Sequence, residues 1–340
     1  MLSKLSIIIP CRNEEKYIEN CVNSILKNDY PSENYEILIV DGKSSDKTIE
    51  IIELLQKKYK NIRQICNQRK ITPVALNLGI RNAKNEYVMI AGAHSSFPEN
   101  YISVLMKNIV DLKADGVGGM LITTSINPTK KASSIIKVLS NKFGVGNSMF
   151  RIGVTEPTLV DTVPFGIYKK TLFEEVSFYD EKLIRNHDIA LSKEFIKKKK
   201  KIYLIPDASC NYYAREYFGQ LARNNYLNGY WNLLTVFITR KYYSLSIRHF
   251  IPLVFILSLI IPVFPVIFIS KYFAFLPTFI FFVYNILIFK TSCMLLDKSN
   301  KLSLLVMSFY TLHFSYGLGS LIGLFRIDRL LFNGKNKAEI

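Results

Sequence analysis

The chain has 340 residues, with 44 Lys and Arg against 27 Asp and Glu, a formal net charge of +17, and 49% of its residues are hydrophobic. Nearly half of the residues can be buried and only about a fifth are charged, which excludes a disordered, low-complexity or collagen-like chain. A basic excess combined with a positive mean hydropathy leaves nucleic acid or an anionic membrane as the expected partner.

The first 91 residues alternate short apolar runs with stretches of helical periodicity. Strands are predicted at residues 5–10, 35–40, 62–66 and 86–91, and helices between them. This alternation predicts a parallel sheet with helices on both faces, and a ligand crevice beyond the carboxyl ends of the strands.

Polar residues follow the first two predicted strands. Asn13 and Glu14 follow the first, and Asp41 ends the second, five residues before Asp46. No G-x-G-x-x-G or G-x-x-x-x-G-K-[ST] pattern occurs in the sequence. A dinucleotide-binding site or a P-loop beyond the carboxyl ends of these strands is therefore excluded.

Three uncharged apolar runs, residues 250–270, 272–289 and 302–325, occupy the last part of the chain. Each is about as long as the 20 or so residues that cross a bilayer core. We predict transmembrane helices; buried helices of a globular domain are the alternative.

The expected location is the cell's inner membrane, as a multi-pass protein with its N-terminal unit in the cytoplasm. No secretory signal follows Met1, and Arg240, Lys241 and Arg248 precede the first apolar run. Three crossings would place the basic tail, residues 326–340, on the other side, so the number of crossings stays open. Five scattered cysteines without a CxxC pair fit a reducing compartment.

Ordered motifs relate the chain to a known family. The segments SIIIPCRNEEKYIENCVNSIL, YEILIVDGKSSDKTIEII and TPVALNLGIRNAKNEYVMIAGAH resemble the inverting, nucleotide-sugar-dependent glycosyltransferases of family 2, which have the GT-A fold. VDTVPFGIYKKTLFEEVSFYDEKLIRNHD, IYLIP and LARNNYLNGYWN follow in the order that is similar to the succinoglycan-type membrane branch.

The resemblance implies an α/β fold: a GT-A nucleotide-sugar-binding domain with a Rossmann-like mixed sheet, followed by C-terminal transmembrane helices. We assign residues 1–211 to the catalytic domain and 212–249 to an amphipathic, interfacial segment on the acceptor side. Residues 250–325 are assigned to about three transmembrane segments and 326–340 to a basic tail.

The resemblance also implies a set of nucleotide-sugar-binding residues. They are Asn13, Glu14, Asp41, Asp46 and Asn77. Asp41 matches the family aspartate that contacts the nucleoside. For Asp46, capping of the following helix is an equally good interpretation, and Asn77 fits an ordinary surface helix position as well.

The matching base is Asp188, which takes the acceptor proton in an inverting displacement; a helix cap is its alternative. His187 replaces the Glu or Gln that precedes this aspartate in the family, so its role is open. Arg223 and Trp231 match a stretch on the acceptor and diphosphate side, and an interfacial helix is an equally good interpretation of that stretch.

A metal site is in doubt. The family ends the fourth strand with D-x-D or D-A-H, whose carboxylate holds Mn²⁺ or Mg²⁺ at the diphosphate, whereas this chain has Gly92, Ala93 and His94. Only His94 remains as a metal ligand, and carboxylate oxygens suit such ions better than imidazole. Metal-assisted catalysis, catalysis with little need of metal, and an inactive site all stay open.

The expected function is transfer of a sugar from a nucleoside-diphosphate sugar to a glycan or polyprenyl-diphosphate-linked acceptor, with inversion, in surface polysaccharide biosynthesis such as exopolysaccharide or capsule. The expected partners are the donor, the acceptor and membrane lipid, and not nucleic acid. The alternative is a catalytically impaired, glycosyltransferase-like subunit of a glycan-assembly complex.

Overall fold

The structure, a computed structural model, describes residues 3–241, 245 and 247–332. Most of the predicted basic tail, residues 333–340, therefore lies outside the described residues. Packing divides the chain into two compact units. The first, called unit 1, is Met1–Thr124 with Ser148–Tyr213, and unit 2 is Ser125–Asn147 with Ala214–Ile340.

Unit 1 contains a mixed β-sheet. Its strands are β1 (Leu5–Cys11), β2 (Tyr35–Asp41), β3 (Ile62–Cys66), β4 (Tyr87–Ile90), β5 (Ser95–Ser96), β6 (Gly116–Thr124), β7 (Thr158–Leu159), β8 (Ile167–Lys169) and β9 (Ile202–Tyr213). The spatial order is β3-β2-β1-β4-β8-β6-β9-β5, and β7 pairs with β9. The first four strands are parallel, as their alternation with helices predicts. β8 lies antiparallel between β4 and β6, so a wholly parallel sheet is wrong and the mixed sheet is confirmed.

The helices of both units follow in chain order. They are α1 (Ile18–Leu26), α2 (Thr48–Lys58), α3 (Thr72–Asn82), α4 (Tyr101–Asp111), α5 (Lys130–Leu139), α6 (Lys142–Val145), α7 (Met149–Ile152), α8 (Thr171–Glu175), α9 (His187–Lys197), α10 (Phe218–Thr239), α11 (Ile251–Ile260), α12 (Val263–Phe268), α13 (Phe275–Leu295) and α14 (Leu302–Phe332). Short 3₁₀ turns occupy Ser32–Asn34, Ile247–Phe250 and Lys271–Ala274.

The sheet of unit 1 separates two apolar cores. Successive side chains of a strand point to opposite faces, so Ile7 and Ile9 of β1 join one core and Ile8 joins the other. The apolar face of α1 covers the first core, and α3 packs against Ile8 at Gly79, where a larger side chain would collide with that isoleucine. This two-sided burial fixes the register of β1, and with it the position of the residues that follow the strand.

Unit 2 is helical, and α5 and α6 belong to it although they lie between β6 and α7 in the sequence. Val138 of α5 shares an apolar cluster with Phe309 of α14. His313 of α14 contacts the Tyr284 hydroxyl through Nδ1 and the Phe143 carbonyl through Nε2, both at 3.0 Å. Packing assigns Ser125–Asn147 to unit 2. One continuous catalytic domain over residues 1–211 therefore stays a prediction about function.

Three helical stretches in the described part of the chain are long and apolar enough to cross a membrane: Ile251–Phe268, Lys271–Leu295 and Leu302–Arg326. They coincide with the three uncharged runs of the sequence. α10 packs on α14 through small residues, because any side chain larger than hydrogen at Gly229 or Gly319 would collide with the backbone of the opposite helix.

Candidate active site

Three parallel strands of unit 1 end side by side at one edge of the sheet. β1 lies between β2 and β4, and Cys11 is the register partner of Asp41. The backbone N–H of Ala91 donates to the Ile8 carbonyl at 2.9 Å. The segments that follow these strands, residues 12–15, 42–48 and 91–94, are therefore neighbours at the carboxyl edge, where ligands bind in such sheets.

Asp41 is a buried carboxylate at this edge, 2% exposed. It accepts hydrogen bonds from the Ser44 hydroxyl at 2.5 Å and from the Ser44 backbone N–H. Cys11 lies beside it, and burial followed by the charge of Asp41 raises the pKa of that thiol well above its ordinary value. Cys11 is therefore a protonated neighbour, and its thiol donates to an Asp41 oxygen at 3.9 Å.

Hydrogen bonds join the loop after β1 to the loop after β2. Asn13 has a left-handed backbone (φ 58°), which asparagine tolerates. Its side-chain oxygen accepts from the backbone N–H of Ser45 at 2.8 Å, and its own N–H donates to the Ser44 hydroxyl at 2.8 Å. The backbone N–H of Glu14 donates to the Thr48 hydroxyl at 2.7 Å. The two loops thus form one rigid wall.

Asp46 completes this wall, two residues before α2 begins at Thr48. Its carboxylate accepts from the backbone N–H and hydroxyl of Thr48, at 3.1 and 2.6 Å, and from the backbone N–H of Glu15 at 3.2 Å. Desolvation alone would raise the pKa of Asp46, but the hydrogen bonds from Thr48 and Glu15 bring it below its ordinary value. Asp46 therefore bonds to the first residue of the helix and also holds the loop after β1, while Lys47 takes the N-cap position.

His94 is paired with Glu14. Its Nε2 lies 2.6 Å from a carboxylate oxygen of Glu14, and the Tyr17 ring stacks at a centroid distance of 4.0 Å. The His94 carbonyl accepts from the backbone N–H of Tyr213, the last residue of β9. His94 thus links β1, α1 and β9, and its imidazole is 43% exposed.

Gly92 stands where the family has its first aspartate, and the ring of Phe165 occupies the space of a side chain there. A Cβ at residue 92 would lie 2.5 Å from Phe165 Cε1 and 3.3 Å from Ser95 Oγ. The Phe165 ring is itself packed edge-on against Phe97, and the Phe165 carbonyl accepts from the Tyr101 hydroxyl at 3.1 Å. A carboxylate at residue 92 would require this aromatic cluster to move.

These residues do not fit a protein-held divalent cation. His94 and Glu14 supply one imidazole and one carboxylate, and the two are paired with each other. No group of three or more His, Cys, Asp or Glu side chains that could hold a metal occurs among residues 3–241, 245 and 247–332. Mg²⁺ and Mn²⁺ favour several oxygen ligands, and in this pair the protein offers only the carboxylate of Glu14.

Asn77 of α3 holds a segment that is distant in the sequence, residues 179–181, by hydrogen bonds. It is 2% exposed, so the surface interpretation is wrong. Its amide donates to the Tyr179 carbonyl and to Glu181 at 2.9 and 3.0 Å, and its oxygen accepts from the backbone N–H of Tyr179 at 3.0 Å. Glu181 also pairs with Arg69 at 2.6 Å. Residues 179–181 are thereby held beside the loop that follows β3.

Asp188 lies in the first turn of α9, and its side chain is exposed. Burial, with a smaller contribution from the charge of Asp188, raises the pKa of Tyr168 and Tyr179. Asp188 is therefore close to the segment that Asn77 holds.

His187 precedes Asp188 and packs edge-on against Tyr179 at 5.6 Å. Desolvation lowers the pKa of His187, and the opposing effect of Asp188 is smaller. Its Nδ1 is buried without a hydrogen-bond partner among the described residues. A neutral imidazole thus lies behind the exposed carboxylate.

The predicted site residues are divided between the two units. Unit 1 brings Asn13, Glu14, Asp41, Asp46 and His94 together, and it links Asn77 to the helix of His187 and Asp188. Arg223 and Trp231 belong to α10 in unit 2, where Arg223 is exposed and Trp231 packs against Tyr230 and Leu234.

Sequence reasoning missed several side chains that build this edge. They are Ser44, Thr48, Tyr17, Glu181 and Phe165. Ser44 and Thr48 lie inside the DGKSSDKT motif, so their place was visible. Nothing in the sequence indicates that Glu181 and Phe165 reach residues more than 70 positions away.

Residues 6–177 match the family described as glycosyl transferase family 2. The chain belongs to this family. It is therefore a glycosyltransferase, as the motifs predict.

Two relatives show the extent of the similarity. The chain is 34% identical over 219 residues to dolichyl N-acetyl-alpha-D-glucosaminyl phosphate 3-beta-D-2,3-diacetamido-2,3-dideoxy-beta-D-glucuronosyltransferase of Methanococcus voltae, covering 62% of this chain and 67% of that protein. It is 26% identical to succinoglycan biosynthesis protein ExoA of Rhizobium meliloti, covering 63% and 66%. The matched part of the chain thus spans about two thirds of each relative's length.

Solved structures confirm the GT-A fold. TarS 1–349 of S. aureus in complex with UDP-GlcNAc superimposes with a TM-score of 0.53 at 16% identity, covering 98% of this chain and 92% of that one. A mannosyltransferase from Pyrobaculum calidifontis in complex with GDP-Man and Mn²⁺ gives 0.50 at 17% identity, covering 66% and 62%.

Proposed function

We propose that this glycosyltransferase transfers a sugar from a nucleoside-diphosphate sugar, with inversion, to a hydroxyl of a glycan or polyprenyl-diphosphate-linked acceptor during surface polysaccharide biosynthesis. The observation that carries the proposal is the carboxyl edge of the sheet, where buried Asp41 lies beside a loop wall that Asn13 and Asp46 hold rigid. The nucleotide sugars in the TarS and mannosyltransferase structures support a donor of this class.

The donor's nucleoside binds at this edge. Asp41 accepts hydrogen bonds from base or ribose groups, and its two bonds from Ser44 keep the carboxylate oriented. Asn13, Glu14 and Asp46 shape the wall, and Asn77 acts on the site through the segment it holds. Because these contacts exist before a ligand arrives, little ordering entropy is lost on binding.

Asp188 acts as general base. Its carboxylate takes the proton of the acceptor hydroxyl while the acceptor oxygen bonds to the anomeric carbon and the bond to the diphosphate breaks on the opposite face. The nucleoside diphosphate leaves with the electron pair of that bond. The exposed position of Asp188 at the start of α9 leaves it accessible to an acceptor, and the neutral His187 behind it does not neutralise its charge.

The reaction does not use a protein-held cation of the carboxylate type. Phe165 fills the side-chain space at Gly92, and His94 is paired with Glu14. We expect turnover to be unchanged within about twofold by excess EDTA, whereas loss of a protein-held catalytic metal would reduce it by orders of magnitude. Turnover that EDTA abolishes and Mn²⁺ restores would contradict this part of the proposal.

The acceptor reaches the enzyme at a membrane. Three helical stretches of unit 2 are long and apolar enough to cross a bilayer. Arg223, exposed on α10, contacts the acceptor's phosphate groups, and Trp231 lies on the same helix. The catalytic unit faces the cytoplasm, where nucleotide sugars are available.

Asp188→Asn tests the proposal. Product formation from a screened nucleotide sugar should fall by about 10²-fold or more, the usual contribution of a general base. Affinity for the nucleoside diphosphate, measured by calorimetry, should stay within about twofold of the original.

Asp207→Asn is the matched control, since it makes the same chemical change at an exposed position of β9. It should leave both quantities unchanged. Near-normal turnover in Asp188→Asn would remove Asp188 from the role of base. Absence of turnover in the original protein with every nucleotide sugar screened would instead favour a catalytically impaired subunit.

A further inference from the structure

Arg151 is a partly buried cation of unit 1 that the catalytic proposal does not use. It lies in α7, and its Nη1 donates to the Thr123 hydroxyl at 3.0 Å. Its guanidinium lies 5.5 Å from the ring centre of Phe150 and 5.6 Å from that of Tyr212. Two aromatic rings and a hydroxyl therefore fix the position of the charge.

The charge of Arg151 is not balanced by a carboxylate. Among the described residues, the ion pairs of this unit join other side chains, and none includes Arg151. Desolvation lowers the pKa of Arg151, with a smaller opposing effect of Tyr212. Removing a cation from water without a paired anion is costly, so the site gains free energy when an anion arrives.

The guanidinium lies at the same edge of the sheet as the candidate active site. Thr123 of β6 is the register partner of Tyr212 of β9, and Tyr212 is in turn the partner of Ser95 in β5. Ser95 directly follows His94, whose carbonyl bonds to the N–H of Tyr213. Two strand pairings therefore connect Thr123, the partner of Arg151, to the segment that carries His94, and Arg151 remains partly exposed.

We propose that Arg151 and Thr123 form an oxyanion-binding site for a phosphate or carboxylate group of a substrate. Guanidinium presents paired N–H groups that match two oxygens of such an anion. The Thr123 hydroxyl accepts from Arg151, which leaves its own hydrogen available as a further donor. The source of the anion rests on the proposed function, because the donor and the acceptor both carry such groups.

Arg151→Met tests the site with inorganic phosphate as the probe. Full-length protein in detergent is heated in sodium phosphate and in sodium chloride of equal ionic strength. Phosphate should raise the unfolding temperature of the original protein, and the rise should be abolished or reduced several-fold in Arg151→Met. In chloride the variant should unfold at or above the original temperature, because an apolar residue replaces an unpaired charge.

Arg63→Met is the matched control, since Arg63 pairs with Glu36 on the outer strands of the sheet. It should keep the full phosphate effect. An equal phosphate effect in Arg151→Met, or no phosphate effect in the original protein, overturns the proposal. Unfolding of Arg151→Met well below the original temperature in chloride also overturns it, because Arg151 would then be a structural residue.

Calorimetric titrations identify the source of the anion. The arms are UDP, UDP-glucuronic acid compared with UDP-glucose, and farnesyl diphosphate. A fall of about tenfold or more in affinity, in Arg151→Met and not in Arg63→Met, assigns the anion to the donor phosphates, a donor carboxylate or the acceptor phosphates respectively. No change in any arm overturns the proposal. The phosphate measurement needs no sugar transfer, so failure of the proposed function leaves this result interpretable.

Discussion

At residue 92 the chain has no space for the carboxylate that its family uses. The ring of Phe165 lies 2.5 Å from where a Cβ would be built, and two further contacts hold that residue: its ring packs edge-on against Phe97, and its carbonyl accepts from the Tyr101 hydroxyl. The side chains around residue 92 therefore fit a glycine and not an aspartate. A simple reversion to the family residue conflicts with the packing.

Gly92→Asp should lower the free energy of unfolding by about 1–3 kcal/mol, the usual cost of overpacking a core, without producing metal-dependent activity. Thermal or chemical unfolding measures the first effect, and turnover with and without Mn²⁺ measures the second. Gly219→Asp is the control, because nothing lies within 4 Å of a Cβ there. A stable Gly92→Asp variant that Mn²⁺ activates would contradict this prediction. The aromatic cluster around Phe165 would then have moved at little cost in free energy.

At the scale of single elements, periodicity predicts most of unit 1 up to β4. Two-sided burial makes β1 and β2 nearly continuous apolar runs, and the spacing of Ile18, Cys21 and Ile25 is that of a helix face. β8 has three residues, too few for a period, so its antiparallel insertion was not visible from the residues themselves. The motif shows where Asp41 and Asp46 lie but gives no sign of the pairing between His94 and Glu14.

The segment that leads to Asp188 depends on one helix. Asn77 of α3 makes three hydrogen bonds to Tyr179 and Glu181. Asn77→Ala should lower the free energy of unfolding by about 1–3 kcal/mol, because buried backbone groups of Tyr179 lose their partners. Turnover should fall with it, since the chain leading to α9 is no longer held.

Asn82→Ala provides the comparison within α3. Asn82 is exposed and bonds to the Leu78 carbonyl of its own helix. Its removal should change stability by less than about 0.5 kcal/mol. A stable Asn77→Ala variant with weakened nucleotide binding would instead give Asn77 a direct contact with the donor.

For the molecule as a whole, the proposed orientation in the membrane has a chemical test. Of the five cysteines, Cys66 and Cys293 are exposed, and Cys66 lies in unit 1. In a Cys293→Ala variant, a membrane-impermeant maleimide should label Cys66 after cells are lysed and should leave it unlabelled in intact cells.

Gel-shift or fluorescence readouts quantify the labelling. A variant lacking both exposed cysteines, Cys66 and Cys293, gives the background signal. Equal labelling of Cys66 in intact and lysed cells would place unit 1 on the outer side. The test is independent of activity, so it separates the location of the enzyme from the identity of its substrates.

The path of the chain between the units limits how the protein can be divided. Because α5 and α6 lie in the sequence between β6 and α7, a fragment ending at Tyr213 would retain both helices. It would lack Phe309 and His313, so Val138 and the Phe143 carbonyl would lose their partners. A water-soluble catalytic fragment therefore requires excision of residues 125–147 and rejoining of the chain, as well as removal of everything after residue 213.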